Sequence, residues 1–136
     1  MSLTTDITAY LTSQGVIDGT TWKSYVGDAQ KTKDAHDRMV IITLSPGDGP
    51  DTHDDSNRLP GFKVRIRGRQ HNHDEALTKW QAMYDALQDG ETAINADAGV
   101  SGTYNLVHSD QSAPIQFPDG KDRPNMTCDF RVTMAT

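Results

Sequence analysis

A chain of 136 residues is the size of one domain and can bury roughly two-thirds of its unfolded surface, and a hydrophobic content of 35% points to one modest core with long polar loops or subunit contacts around it. Thirteen basic residues against nineteen acidic ones give a net charge of -6, which argues against a protein that neutralises nucleic-acid phosphates over its whole surface. The single cysteine, Cys128, excludes an internal disulfide framework, no Cys/His spacing matches a structural zinc site, and a reducing cytoplasm suits the chain best.

The opening Met1 to Asp6 has neither the positive charge nor the apolar core of a signal peptide, and no run of ~18 apolar residues occurs to cross a membrane. From Thr5 to Gln14, Ile7, Tyr10 and Leu11 recur at helical spacing and Gly15 supplies a stop, which predicts a short first helix. Val16 to Tyr25 alternates poorly and reads as irregular or weakly extended, and Gly27 to Asp37 is polar without periodicity. Met39-Val40-Ile41-Ile42-Thr43-Leu44, closed by Ser45-Pro46-Gly47, is a β-branched run that predicts a buried strand. The next segment, Pro46 to Pro60, holds three prolines, two glycines and four aspartates, so it is expected to be a mobile surface loop.

From Gly61 to Arg69, Phe62, Val64 and Ile66 alternate with Lys63, Arg65, Arg67 and Arg69, the pattern of a half-buried strand with one cationic face. Asn72 and Glu75 have the spacing of a capping box, and Asp74 favours the positive end of a helix dipole. Ala76, Leu77, Trp80, Met83, Tyr84 and Leu87 then form the apolar stripe of a second, stronger helix that stops before Gly90. Strands follow around Tyr104 to His108, in the short piece Pro114 to Phe117 and, after a turn at Asp119-Gly120, from Met126 to Met134. In the last of these, Met126, Cys128, Phe130, Val132 and Met134 alternate with Thr127, Asp129, Arg131 and Thr133. The order predicts a single α+β domain over residues 1–136, an antiparallel or mixed sheet of four to five strands with two helices packed on one face.

Little of this supports catalysis. Asp48, Asp51, His53, Asp54 and Asp55 invite a hard cation, but they lack the turn glycine and closing glutamate of a calcium loop, and a solvated loop is the preferred reading. In His71-Asn72-His73 the asparagine serves as a helix cap, and the flanking histidines read as ordinary surface residues. Cys128 falls on the inward face of its strand as an inert thiol, and no phosphate loop, serine elbow or paired-carboxylate pattern occurs. No cofactor or metal site is expected.

Four cations on one strand face repel each other unless something answers them, so Lys63, Arg65, Arg67 and Arg69 are the most informative charged group. A solvated face balanced by neighbours such as Asp129 is one reading, and a surface near nucleic acid is another. Because the chain as a whole is acidic, a subunit interface is preferred, with Lys63, Arg65, Arg67, Arg69, Asp129 and Arg131 as its candidate residues.

The segment Pro60-Gly61-Phe62-Lys63-Val64-Arg65-Ile66-Arg67-Gly68-Arg69, followed by the helix from Asp74 to Leu87 with Ala76, Trp80, Tyr84 and Leu87, resembles the middle of siphophage tail terminator and minor capsid proteins. The closing Asp122-Arg123-Pro124-Asn125-Met126-Thr127-Cys128-Asp129-Phe130-Arg131-Val132 is similar to the last strand of that family, where an Arg-Pro turn precedes an alternating run. The first helix and the Val40 to Leu44 strand fall in the same order, so the resemblance spans most of the chain. It implies a non-enzymatic virion protein that forms a hexameric ring on the head-proximal end of the tail tube. Its implied partners are copies of itself, the tail tube protein and the head connector protein, with DNA passing through the lumen without specific binding. The implied location is the virion, and the host cytoplasm during assembly. A head-side connector or stopper, and a small metal- or ligand-binding enzyme domain using the Asp/His-rich loop, are the alternatives.

Overall fold

The computed structural model describes residues 3–18, 21–26, 38–51, 54–118 and 122–134. Its elements are helix α1 (Leu3–Ser13), strands β1 (Lys23–Val26), β2 (Met39–Asp51) and β3 (Asp54–Arg67), helices α2 (His73–Leu87) and α3 (Glu91–Asn95), and strands β4 (Tyr104–His108), β5 (Ile115–Pro118) and β6 (Pro124–Met134). The strands form one sheet in the order β1-β2-β3-β6-β4, with β5 also paired to β6. Only β1 and β2 run parallel among the described pairs, so the sheet is mixed and the fold is α+β. The described sheet has six strands against the expected four to five, and the short α3 adds a third helix.

The alternation in the central strands sorts their side chains between the two faces. Phe62, Val64 and Ile66 of β3 stand opposite Phe130, Cys128 and Met126 of β6, and opposite Leu44, Ile42 and Val40 of β2. All but Leu44 are sealed, in one core with Ile7, Tyr10 and Leu11 of α1, Ala76, Trp80, Met83 and Leu87 of α2, and Ile94 of α3. All three helices therefore cover the same face, and Tyr84 packs at the margin of that core. The ring of Phe62 stacks on Phe130 at 5.1 Å, Trp80 stacks on Tyr84 at 5.0 Å, and Tyr84 tilts onto Phe130 at 6.4 Å.

A polar staple ties α1 to the far end of the chain. The carboxylate of Asp6, 1% exposed, accepts from the backbone N–H of Ser101 at 3.0 Å and of Gly102 at 3.1 Å, and from Tyr104 Oη at 2.6 Å. A buried carboxylate is tolerable only with such donors.

The turn from β3 into α2 is tight because Gly68 lets the backbone approach the helix: a Cβ there would stand 2.9 Å from Ala76 Cβ and 3.2 Å from Pro124 Cγ. Asn72 caps α2 as expected, its Oδ1 accepting from the Glu75 backbone N–H at 3.2 Å. Glu75 turns its carboxylate outward instead, to Arg38 at 2.9 Å and to Arg69 at 2.9 Å and 3.1 Å.

The segment expected to be a mobile loop is the largest correction. Residues 46–51 and 54–60 belong to β2 and β3, which pair from Ser45↔Gly61 through Gly49↔Leu59 and Pro50↔Arg58 to Asp51↔Asp54, with register shifts between Ser45 and Gly49 and between Pro50 and Asp51. A two-stranded ribbon satisfies its backbone hydrogen bonds whatever its side chains, so a segment too polar to build a core still forms strands. The prolines sit where shifted register and edge position tolerate a missing N–H. Residues 52–53 lie outside the described residues, as do the polar stretch Gly27 to Asp37 and the Asp119-Gly120 turn. Within Val16 to Tyr25, read as irregular or weakly extended, the chain enters β1 and pairs parallel to β2, a contact between segments that local pattern does not encode.

Candidate subunit interface

The face opposite the helices carries the cationic row. Lys63, Arg65 and Arg67 of β3 stand opposite Asp129, Thr127 and Asn125 of β6 and opposite Thr43, Ile41 and Met39 of β2. Arg131 shares this face, opposite Gly61. Met39 and Ile41 form a small buried cluster of their own, so this side of the sheet is covered at one end and open towards Lys63, Asp129 and Arg131.

The candidate residues take up unequal positions within this arrangement. The Lys63 ammonium is 4.0 Å from Asp129, both half exposed, a pair of small energetic weight. Arg65 is half-buried: its Nε donates to Asn125 Oδ1 at 2.8 Å, and its guanidinium lies over the Phe117 ring at 5.5 Å. Arg67 is 3% exposed and so contributes little to any outer surface. Arg69 is not part of the row, because β3 ends at Arg67 and Arg69 pairs with Glu75 at the start of α2. The Arg131 guanidinium donates to Asp110 at 3.0 Å, and Asp110 stands 3.4 Å from His108 Nε2. The expected row of four equivalent cations is thus three cations of graded exposure, joined by Arg131 from the next strand.

Beside this row lie exposed apolar side chains that sequence reading did not single out as surface. Ile115 is 57% and Phe117 40% exposed; β5 pairs them with Thr127 and Asn125, which sets them beside the cations. The short apolar run Pro114 to Phe117 was the signal available, but exposure at a sheet edge depends on what covers it. Phe117 also lines a cavity of about 600 Å³ with His71, His73, Gln116, Pro124 and Asn125. There His73 Nε2 is 2.7 Å from Gln116 Oε1, and His71 takes a left-handed backbone, φ 60°, in the turn before α2. Among the described residues, no group of three or more His, Cys, Asp or Glu is placed to hold a metal ion. His53, part of the Asp/His-rich segment, lies outside the described residues.

Burial and hydrogen bonding perturb ionisation at Asp6, Glu75 and Cys128. Burial alone raises the Asp6 carboxyl, but hydrogen bonds from Tyr104, Ser101 and Gly102 outweigh it and hold the group below its ordinary value. Glu75 behaves alike, desolvation being outweighed by Arg38 and Arg69. Burial pushes the Cys128 thiol up to about 11, and its Sγ lies 3.4 Å from Ser109 Oγ, so it is a protonated core group. These shifts belong to structural pairs. The open face offers charge and apolar contact, the means of recognition between macromolecules.

No family model and no curated sequence matches the chain. Among solved structures, a chain of the "Virion of native gene transfer agent (GTA) particle" has a similar fold, with a TM-score of 0.54 and 17% identity over 91% of this chain and 83% of that one. At that identity the likeness is one of fold. Among the described residues, no helix is long and apolar enough to cross a membrane.

Proposed function

We propose that this chain is a non-enzymatic structural subunit of a phage-like virion, a single domain that assembles into a hexameric tail-terminator ring. The observation that carries this reading is the likeness of fold, over 91% of this chain and 83% of the other, to a chain of a gene transfer agent virion. The open face with its Lys63, Arg65 and Arg131 cations and exposed Ile115 and Phe117 supports it, since a ring subunit needs a surface of mixed charge and apolar character for its neighbour. In this reading Lys63, Arg65, Asp129 and Arg131 lie at the subunit contact, while Arg67 is buried within the sheet and Arg69 is engaged by Glu75. The ring caps the tail tube, meets the head connector on its other side, assembles in the host cytoplasm and lets DNA pass unbound, consistent with the net charge of -6.

Solution mass and negative-stain imaging test the proposal together. The expected result is annular particles of several times the 15.0 kDa protomer mass that bind purified tail tube ends. Rings that bind the head-side connector and ignore tube ends would reassign the chain to the head. A monomer at all concentrations, with no binding to either partner, would sink the ring reading.

A further inference from the structure

We infer that the β2–β3 hairpin arm of one copy lies across the cationic sheet face of the next, a head-to-tail contact that closes the ring; this rests on the ring reading above. The arm is the part of β2 and β3 beyond Ser45 and Gly61. The pairing of β1 with β2 reaches only Ile42, and that of β6 with β3 only Gly61, so no other described strand pairs with the arm. Its backbone runs over residues 45–51 and 54–61, a ribbon of about 20 Å at ~3.3 Å per residue. A two-stranded ribbon standing alone is marginal in water, so a surface that receives it stabilises both.

Charge identifies that surface. The sequence of the arm from Pro46 to Pro60 holds Asp48, Asp51, Asp54 and Asp55 against Arg58 alone. The open face carries Lys63, Arg65 and Arg131 against Asp129 and the Asp110 that pairs with Arg131, while Arg67 of the same strand is buried. Ile115 and Phe117 border the row and supply apolar contact, and Leu44, 65% exposed where the arm leaves the sheet, supplies it from the other side. The arm continues β2 and β3 off the end of the sheet, whereas the cations stand on its flat face. One copy therefore presents the two halves in different places, which is the condition for a heterologous contact that propagates around a ring.

Charge reversal with rescue tests the inference. In a face variant, Lys63→Glu with Arg131→Glu, and in an arm variant, Asp54→Lys with Asp55→Lys, the changed residues are surface groups or lie on the arm, and the melting midpoint of each confirms folding. Each variant alone is expected to raise the concentration at half-assembly by about tenfold or more. An equimolar mixture of the two restores both contacts in alternation, and so does a variant carrying all four changes in one chain; annular particles should return in both cases. Rings from the wild type with no rescue in the mixture or the combined variant overturn the arm-on-face contact while leaving the ring reading intact. A wild type that never assembles overturns both. Salt-sensitive binding of duplex DNA by the wild type, lost in the face variant while its assembly is unchanged, reassigns the face to nucleic acid and also overturns the contact.

Discussion

The helix-covered face and the open face of this sheet are built from the same strands, residue by residue in alternation, yet they are held by different forces. On the covered face, Phe62, Val64, Ile66, Cys128 and Phe130 meet three helices, and the stabilisation is apolar area removed from water. On the open face, Lys63 meets Asp129, Arg65 meets Asn125 and Arg131 meets Asp110 through contacts of 2.8 Å to 4.0 Å in partial solvent, each of small worth to the isolated subunit. Stability is therefore concentrated on one side of the sheet, and the proposed subunit contact lies on the other. Substitutions should sort accordingly.

The largest effect is expected at Trp80, 1% exposed and stacked on Tyr84: Trp80→Ala should cost about 3–5 kcal/mol in denaturant unfolding as a large core truncation. A midpoint equal to wild type would mean that the covered face is not the seat of stability. Next comes the staple at Asp6, where Tyr104→Phe removes a 2.6 Å hydrogen bond to a buried carboxylate and should cost about 1.5–3 kcal/mol.

The staple also sets the acid limb. Because Asp6 and Glu75 are both held below their ordinary values when folded, their contributions are present in full above the unfolded-state values near ~4 and are lost as pH falls through the lower folded values. Asp6→Asn should flatten the fall in stability below about pH 4. A limb unchanged in that variant would place the acid sensitivity elsewhere.

Glu75→Gln should cost only about 0.5–1 kcal/mol, since its ion pairs with Arg38 and Arg69 are partly solvated. Smallest of all, Lys63→Glu should change unfolding stability by no more than about 0.5 kcal/mol while weakening assembly. Equal losses in both measurements would erase the contrast between the faces. As a check on the covered side, Cys128, with its thiol pushed up to about 11, should resist alkylation at neutral pH until the protein unfolds.

Period and sign were readable from the chain alone. The two-residue alternation of Phe62 to Arg67 and of Met126 to Thr133, and the stripe of Ala76, Trp80, Met83 and Leu87, each specify an element and its buried side, because local geometry fixes which side chains share a face. The Asn72 cap was legible for the same reason, its partner lying three residues away. Whatever depended on segments distant in sequence was not. The arm at 46–60 is strand because two polar segments pair, β1 is strand because β2 lies beside it, and Asp6 is buried because donors some 95 residues away converge on it. Arg69 left the cationic row because the strand ended and Glu75 stood within reach, while Arg67 was buried in place, neither of which alternation records. Local pattern assigns a side chain to a face; only the packed sheet decides whether that face is sealed, shared or left open for a partner.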